Sequence, residues 1–374
     1  MSVPHYRIAV IKGDGIGKDV TDAALAVTEA ARQRVGGFAL ELLPIQSGAK
    51  YFVETGRDIE PGGEEAAGEA DAIFLGAIGW PDVRHPDGTE ISPHLRLRER
   101  FQLYAGVRPV RAYPNTPRRL ADPRAAEIDL VVVRESTEGL FYSAAVHGRS
   151  PVVNDNEVQD ILRITRPTTE KLHDFAFNLA RRRKARGRPG RVTCVDKANV
   201  FTSLAFFRRI FDERRKGFPD IEAGYNYVDA QALDLVRRPW IFDVLVTENM
   251  FGDILSDLAG GLVGGMGMAA CGEIGEAHGL FQPAHGSAPD IAGRDLANPM
   301  AAILSAALML EYLAEKSGNQ ALADAAAVID EAVLDGFSAN ELRPCEFGGD
   351  MGTQAVTTKL LDLISTGVQD RRAL

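Results

Sequence analysis

Short apolar runs alternate with amphipathic helical patterns along the chain. The clearest runs lie at residues 7–12, 72–75, 130–133, 192–195 and 244–246, and each is bounded by Gly, Asp, Asn or other polar residues. Runs of this length that are rich in β-branched residues are typical of strands buried in a parallel sheet. The pattern therefore predicts an α/β fold with a mostly parallel sheet.

Polar residues follow the predicted strands at their downstream ends. Arg134 and Glu135 follow one run, Asp196 and Lys197 follow another, and a Gly-rich segment follows the first. Ligands of open α/β sheets bind beyond the carboxyl ends of the strands, so this layout predicts one enzyme-like cleft. The first glycine segment, KGDGIG, is not the ordinary dinucleotide fingerprint, because GxGxxG would need glycine where Lys18 stands.

The length and net charge of the chain indicate a large globular protein whose main ligand is not a nucleic acid. A chain of 374 residues predicts two domains or one large α/β unit. Its 42 Lys and Arg against 52 Asp and Glu give a net charge of -10, which argues against nucleic acid as the main ligand. The basic run at residues 181–191 follows a helical pattern, and we interpret it as a helix end rather than a nucleic-acid site.

Three widely spaced cysteines form no CxxC pair, which favours a reducing compartment. The N-terminal segment lacks the pattern of a signal peptide. The longest charge-free stretches, residues 258–272 and 296–310, are shorter than the ~20 apolar residues that cross a membrane. We expect a cytoplasmic protein without a membrane segment.

An acidic stretch points to a cation. Residues 239–293 contain no Lys or Arg but seven Asp and Glu. Asp253 and Asp257 are four residues apart, so a helix would place both carboxylates on one face, where they repel each other. A divalent ion would make that pair favourable, and oxygen ligands suit Mg²⁺ or Mn²⁺. A solvated helix face is the alternative, and we favour the metal.

Arginines gather in the earlier part of the chain. Arg108 precedes Pro109 and is therefore biased toward an extended backbone, while Arg134 ends a predicted strand. Both are placed to reach the cleft, whereas Arg96 and Arg100 are interpreted as surface residues. Guanidinium groups bind carboxylates in a bidentate manner, so arginines beside a metal predict a site for a small di- or tricarboxylate.

Five segments, in order, resemble the β-decarboxylating dehydrogenases that act on 3-isopropylmalate, isocitrate, homoisocitrate, tartrate or D-malate. They are KGDGIG near the start, LRERFQLYAGVRPVR at 97–111, VVRESTEG at 132–139, VDKANV at 195–200, and TENMFGDILSD with HGSAPDIAGRDLANP up to 299. The resemblance implies an isopropylmalate dehydrogenase-like fold with a large mixed sheet, not an ordinary Rossmann fold. It also implies two domains, residues 1–103 with 264–374 and residues 104–263.

The resemblance implies a role for each matching residue. Substrate carboxylates would be held by Arg98, Arg108 and Arg134, with Asn199 as a further polar contact. The metal would be held by Asp229, Asp253 and Asp257. In the family the lysine and the aspartate that match Lys197 and Asp229 enter the site from the neighbouring subunit. We therefore expect at least a homodimer, with Lys197 as a candidate proton acceptor.

The resemblance also implies a nicotinamide cofactor bound by the HGSAPDIAG loop. The matching residues are His285, Ala288, Asp290, Ile291 and Asn298. Asp290 can accept a hydrogen bond from a ribose 2′-hydroxyl and would repel a 2′-phosphate, so we expect NAD rather than NADP.

The chain departs from the family at the residue thought to protonate C3. Members carry tyrosine seven residues after the arginine that matches Arg134, and this chain has Phe141, followed by Tyr142. A phenyl ring has no proton to donate. Adjacent residues of a strand face opposite sides, so Tyr142 would replace that tyrosine only if the backbone bent.

The substrate is the other open point. If residues 91–98 are helical, Ile91, His94 and Leu95 share a face with Arg98 and would contact the C3 substituent. Ser92 matches the isocitrate pattern, but His94 matches neither the isocitrate nor the isopropylmalate pattern. The expected activity is NAD- and metal-dependent oxidative decarboxylation of a 3-substituted malate. The alternative is a non-catalytic, regulatory member that assembles with an active homologue.

Overall fold

The computed structural model describes residues 3–145 and 152–366. Residues 1–2 and 367–374, the outer ends of the predicted first domain, lie outside the described residues. The strands are β1 (His5–Gly13), β2 (Ala39–Pro44), β3 (Ala72–Ala77), β4 (Ala105–Arg111), β5 (Asp129–Glu135), β6 (Val152–Val153), β7 (Val158–Gln159), β8 (Arg191–Asp196), β9 (Glu222–Tyr227), β10 (Val244–Thr247), β11 (Ala270–Ile274) and β12 (Gly279–Pro283). All five strands predicted from the apolar runs are confirmed.

Helices connect most of the strands and cover both faces of the sheet. They are α1 (Gly17–Val35), α2 (Ala49–Thr55), α3 (Gly63–Glu69), α4 (Pro93–Arg100), α5 (Phe141–Ala145), α6 (Arg166–Ala185), α7 (Thr202–Arg214), α8 (Val228–Arg237), α9 (Asn249–Leu262), α10 (Met300–Ser317), α11 (Gln320–Ser338) and α12 (Thr353–Thr366). Within these described residues, no helix combines the length and the apolar character that crossing a membrane requires.

Ten strands form one mixed sheet in the order β2-β1-β3-β12-β11-β4-β5-β10-β8-β9. Pairing is parallel except where β11 meets β12 and β4, and where β4 meets β5. The outer strands β1, β2 and β3 are joined to the late strands β11 and β12, while the middle of the chain supplies the other half. The predicted α/β class with a large mixed sheet is confirmed.

The core is divided by the sheet. The helices α1 and α10 pack against one face of β1, β3 and β12, and α11 and α12 pack against these two helices. In the other half, α6 and α7 cover the face that carries Val131 and Val133, whereas α9 covers the opposite face, which carries Leu130 and Val132. The alternation of side chains along β5 therefore separates two compartments, one on each face of the same strand.

A buried histidine in this core makes a testable contribution to pH dependence. His173 of α6 is fully buried against Phe207 and Phe211, with its Nε2 3.2 Å from the Phe207 carbonyl oxygen. Burial lowers the pKa of His173 to about 3. Because the folded pKa lies below the unfolded value, this contribution to stability is present above about pH 6.5 and is lost as the pH falls.

We expect His173→Phe to weaken the acid sensitivity of the fold. Between about pH 7.5 and pH 5 the neutral, buried histidine should cost about 2 kcal/mol of unfolding free energy, and the phenylalanine variant should lack that loss. Urea unfolding at the two pH values measures the difference. An equal loss of stability in the wild type and the variant would contradict the assignment.

Candidate active site

Three buried arginines meet on one face of the sheet. Arg108 lies on β4 and Arg134 ends β5, and the antiparallel pairing places Val132 opposite Arg108 and Gly106 opposite Arg134, so both arginines face the same side. Arg98 joins them from α4. All three arginines are less than 10% exposed, so they form a buried cationic cluster, not a surface patch.

Glu273 on β11 holds two of these arginines. Its Oε1 accepts from Nη2 of Arg98 at 2.9 Å and from Nη2 of Arg108 at 3.3 Å. Burial alone would raise the pKa of Glu273, but the charges of Arg98 and Arg108 outweigh it and lower that pKa to about 2. The Nε atoms of Arg98 and Arg108 are buried without a hydrogen-bond partner among the described residues, which leaves donor capacity for an anion.

Asn249 and Asp253 orient the third arginine. Nε and Nη2 of Arg134 donate to Oδ1 of Asn249 at 2.9 and 2.7 Å, and Nη1 of Arg134 donates to Asp253. Helix α9 can approach this closely because residue 252 is glycine: a Cβ there would lie 2.6 Å from the Arg134 Cβ. Burial and the charges of Arg98 and Arg108 lower the pKa of Arg134 to about 10.

The predicted acidic pair lies on one face of α9, beside the arginines. Asp253 contacts Arg134 and its side chain is 44% exposed, while Asp257 follows one turn later and is also exposed. Partial withdrawal from water raises the pKa of Asp257, and the Asp253 carboxylate adds to the shift. Among the described residues of this single chain, no group of three or more His, Cys, Asp or Glu side chains forms a metal cluster.

Lys197 and Asp229 pair with each other and not with the arginine cluster. Lys197 follows β8, Asp229 lies in the first turn of α8, and the two side chains form an ion pair. Asn199 is exposed nearby. In the described part of the chain, neither hydrogen bonds nor ion pairs join these three residues to Arg134 or Asp253. The single chain brings the arginines and Asp253 together, and it does not bring Lys197, Asp229 or Asn199 to them.

The segment predicted to contact the C3 substituent is helical only from Pro93. Ile91 therefore does not share a helix face with Arg98, which corrects that part of the prediction, while His94 and Leu95 do lie on α4. Ser92 occupies the N-cap position without making a side-chain cap. His94 has a buried Nδ1 without a partner among the described residues, and burial, followed by the Arg98 charge, lowers its pKa to about 3.

Phe141, not Tyr142, faces the arginines. The Arg134 guanidinium lies 5.0 Å from the centre of the Phe141 ring, and Arg163 lies over the Tyr142 ring at 4.4 Å. Both residues begin the short helix α5, so the alternation of side chains along a strand does not apply to them. The two rings nevertheless contact different arginines, so Tyr142 does not replace the missing hydroxyl.

The HGSAPDIAG loop packs against the KGDGIG turn. The carbonyl oxygen of Ser287 accepts from the amide of Ile16 at 2.7 Å, and a Cβ at Gly15 would lie 2.0 Å from that oxygen. Gly15 also has a φ of 53°, so this contact requires glycine. Ala288 adopts a φ of 36°, which is uncommon for a residue with a side chain. The glycine run therefore supports the predicted cofactor loop.

The five residues predicted to bind the cofactor lie in different environments. Asp290 is exposed, Ile291 and Ala288 are partly buried, and His285 has an Nε2 atom that is buried without a partner among the described residues. Asn298 is buried, and its Nδ2 donates to Glu346 at 2.9 Å. The loop itself lies beyond the end of β12, on the same side as the KGDGIG turn.

Two residues of the site, Glu273 and Asn249, were not predicted. Glu273 belongs to the stretch without cations, where every acid needs a partner from elsewhere in the chain. That stretch was the only signal in the sequence, because the arginines that bind Glu273 precede it by more than 160 residues. Asn249 follows a predicted strand, but nothing in the sequence pairs it with Arg134.

Comparison with known proteins agrees with this geometry. The family model described as isocitrate/isopropylmalate dehydrogenase matches residues 7–364. The chain is 39% identical to a 3-isopropylmalate/3-methylmalate dehydrogenase of Methanocaldococcus jannaschii, with 93% of the chain and 96% of the relative covered. It is 37% identical to a homoisocitrate dehydrogenase of the same organism, with 96% and 97% covered.

Solved structures give the same result. The isocitrate dehydrogenase from Methylococcus capsulatus superposes with a TM-score of 0.81 at 33% identity, covering 96% of this chain and 99% of the other. A beta-decarboxylating dehydrogenase from Thermococcus kodakarensis, in its apo form, gives 0.78 at 35% identity, with 99% of both chains covered. Sequence, fold and the arginine cluster agree, and the chain belongs to the isocitrate/isopropylmalate dehydrogenase family.

Proposed function

We propose that this protein catalyses the NAD-dependent, divalent-metal-dependent oxidative decarboxylation of a 3-substituted (2R)-malate. The observation that carries the proposal is the cluster of three buried guanidinium groups directly beside the carboxylates of α9. A buried excess of positive charge is costly unless an anion balances it, and a dicarboxylate would do so. The dehydrogenases of the family act on such hydroxy acids.

The donor set of α9 fits Mg²⁺ or Mn²⁺. Asp253 and Asp257 offer carboxylate oxygens one helical turn apart, and Asp229 of a second subunit would be the third ligand. When bound, the ion supplies Lewis acidity at the substrate hydroxyl and carboxylate, and NAD⁺ supplies the hydride acceptor. Asp253 would then exchange its contact with Arg134 for the ion, which frees that guanidinium for the substrate.

The chain's own residues would bind the substrate and move its protons. Arg98, Arg108 and Arg134 hold the carboxylates, with free Nε donors on the first two. Lys197 accepts the proton of the C2 hydroxyl while the C2 hydrogen leaves as hydride. The bond from C3 to its carboxylate then breaks to give carbon dioxide, and a proton is added at C3, which leaves a 2-oxo acid.

An exposed apolar surface supports assembly into a homodimer. On the segments that carry Lys197, Asp229 and Asp253, large apolar side chains are about half exposed or more. Ile254, between the two carboxylates of α9, is 59% exposed. The other members of this surface are Val200, Phe201, Leu233 and Val236. A second copy covering the surface would bring its Lys197 and Asp229 toward α9.

NAD is proposed over NADP because of Asp290. Its carboxylate is exposed at the cofactor loop, where it can accept from a ribose 2′-hydroxyl and would repel a 2′-phosphate. His285, Ala288, Ile291 and Asn298 are the other proposed contacts of the cofactor.

Ser92, His94 and Asn199 are proposed to contact the substrate. The division into two domains at about residues 103 and 264 stays a prediction.

Restoring a hydroxyl at position 141 tests the decarboxylation step. We expect Phe141→Tyr to raise the steady-state rate of turnover, and with it the rate of carbon dioxide release, about 10-fold or more, because a positioned acid replaces water as the proton donor to C3 after carbon dioxide has left. The rates of NADH and carbon dioxide formation should be followed in parallel, with Tyr142→Phe as the control that leaves both unchanged. A Phe141→Tyr variant with the wild-type rate of decarboxylation would contradict this account.

A substrate panel tests the proposed function as a whole. NADH formation should be measured with Mn²⁺ and, in turn, 3-isopropylmalate, isocitrate, homoisocitrate, tartrate and D-malate. We expect turnover of at least one, with one carbon dioxide per NADH. If none of the five is turned over while Mn²⁺ still binds, the result would instead favour the alternative of a non-catalytic, regulatory family member, which the absence of tyrosine at position 141 suggests.

A further inference from the structure

A second cavity lies on the face of the sheet opposite to the arginine cluster. Its volume is about 320 Å³. Along β4, Val107, Pro109 and Arg111 line this cavity, whereas Arg108 between them faces the arginine cluster. Along β5, Val131 likewise lines it. The strand alternation therefore gives the same two strands a candidate active site on one face and this far-face cavity on the other.

The far-face cavity has the size and wall chemistry of a small-molecule site. Its volume lies at the lower end of the range for ligand pockets. The walls come from α6, α10 and α11 and from the segment before β11, so distant parts of the chain enclose it. The apolar lining is Val107, Pro109, Val131, Leu179, Met268, Ala270, Leu304, Ala307 and Leu308.

Most charged groups around the cavity already have partners. Arg183 and Arg188 form ion pairs with Asp129, and Arg186 pairs with Glu311. Arg111 and Asp330 are the exceptions.

Arg111 and Asp330 lie within the described residues and line the cavity, yet neither forms an ion pair there. Arg111 lies over the Tyr113 ring at 5.2 Å, and no hydrogen bond is formed by the Asp330 carboxyl with any described group.

Asp330 is partly exposed at the cavity and has no ion-pair partner among the described residues. Burial, followed by repulsion from Glu311, raises its pKa to about 7, while Arg111 and Arg186 act in the opposite direction without contacting it. A cationic ligand group in the cavity would pair with this carboxylate and stabilise its charged form. Arg111, which is also partly exposed, offers a guanidinium group to an anionic ligand group. The cavity thus offers one acid and one base without ion-pair partners, together with an apolar wall.

We propose that the far-face cavity binds a free aliphatic α-amino acid, whose ammonium group contacts Asp330 and whose carboxylate contacts Arg111. The aliphatic side chain would lie against Leu179, Leu304 and Leu308. A simple carboxylic acid would leave Asp330 unpaired, and a simple amine would leave Arg111 unpaired. A ligand that carries both charges and an apolar group satisfies all of these features of the cavity.

Calorimetric titration of the full chain with leucine, isoleucine and valine tests this proposal at about pH 8, where Asp330 is charged. We expect saturable binding of at least one of them. Asp330→Asn and Arg111→Gln should each weaken that binding about 10-fold or more, since each removes one charged contact. Glu331→Gln and Arg118→Gln, exposed neighbours outside the cavity, should bind as the wild type does.

Two analogues keep the proposal falsifiable even if a variant does not fold. 4-Methylpentanoate lacks the ammonium group of leucine and 3-methylbutylamine lacks its carboxylate, and the wild type should bind each at least about 10-fold more weakly than leucine. The proposal is overturned if no amino acid binds, if Asp330→Asn and Arg111→Gln leave binding unchanged, or if either analogue binds as tightly as leucine. The measurement needs no turnover, so it is independent of the proposed function.

Discussion

Asp253→Asn is expected to reduce metal-dependent kcat at least about 100-fold. Asparagine keeps the size of the side chain and an oxygen that can accept from Arg134, so the arginine cluster should stay in place. What is lost is the negative charge that would bind the divalent ion. The Mn²⁺ dependence of initial rates on the best substrate of the panel measures the effect, and excess Mn²⁺ should restore only part of the activity.

Asp174→Asn is the matched control for this prediction. Asp174 is also ion-paired with an arginine, Arg214, and partly exposed, but its helix α6 covers the face of the sheet opposite to α9. This variant should retain wild-type kcat and Mn²⁺ dependence. If Asp253→Asn were as active as the control, Asp253 would have no part in metal binding.

Lys197→Met is expected to reduce kcat by about 100-fold to 10,000-fold while Mn²⁺ still binds. The reason is that methionine keeps an unbranched side chain of similar length but cannot accept the proton of the C2 hydroxyl. Steady-state kinetics together with Mn²⁺ titration separate the two effects. A variant that loses metal binding and activity in parallel would assign Lys197 a structural role through its ion pair with Asp229.

A mixture of two inactive variants tests whether Lys197 acts across a subunit interface. In a heterodimer of Lys197→Met and Asp253→Asn chains, one site receives both substitutions and the other receives neither. Random reassociation gives half heterodimers, so about a quarter of the wild-type activity should return. No recovery after verified subunit exchange would mean that both residues act within one chain.

Sequence reasoning identified the elements with strong local signals. The buried strands at residues 130–133 and 244–246 are short runs of valine and leucine between polar residues, a pattern that fits few other structures. The acidic pair on α9 could be predicted because helical periodicity places Asp253 and Asp257 on one face. The position of Arg108 in the cleft could be predicted because the proline that follows it favours an extended backbone. The roles of Lys197 and Asp229 came from the family resemblance alone.

Long-range pairings could not be read from the chain. Glu273 and Arg108 are far apart in sequence, and only the register of β11 on β4 brings them together. The contact of Asn249 with Arg134 likewise depends on how α9 packs on β5. The short helix at Phe141 has no clear periodicity in five residues, so the sequence did not predict it. Local patterns define elements, while the site is defined by their packing.

Electron paramagnetic resonance titration of Mn²⁺, with the turned-over substrate present, tests most directly whether the carboxylates of α9 hold the ion. We expect one bound Mn²⁺ per subunit in the wild type and in Asp174→Asn. In Asp253→Asn and Asp257→Asn the affinity should fall at least about 10-fold. Equal Mn²⁺ affinity in all four proteins would contradict the metal site, and with it the proposed chemistry.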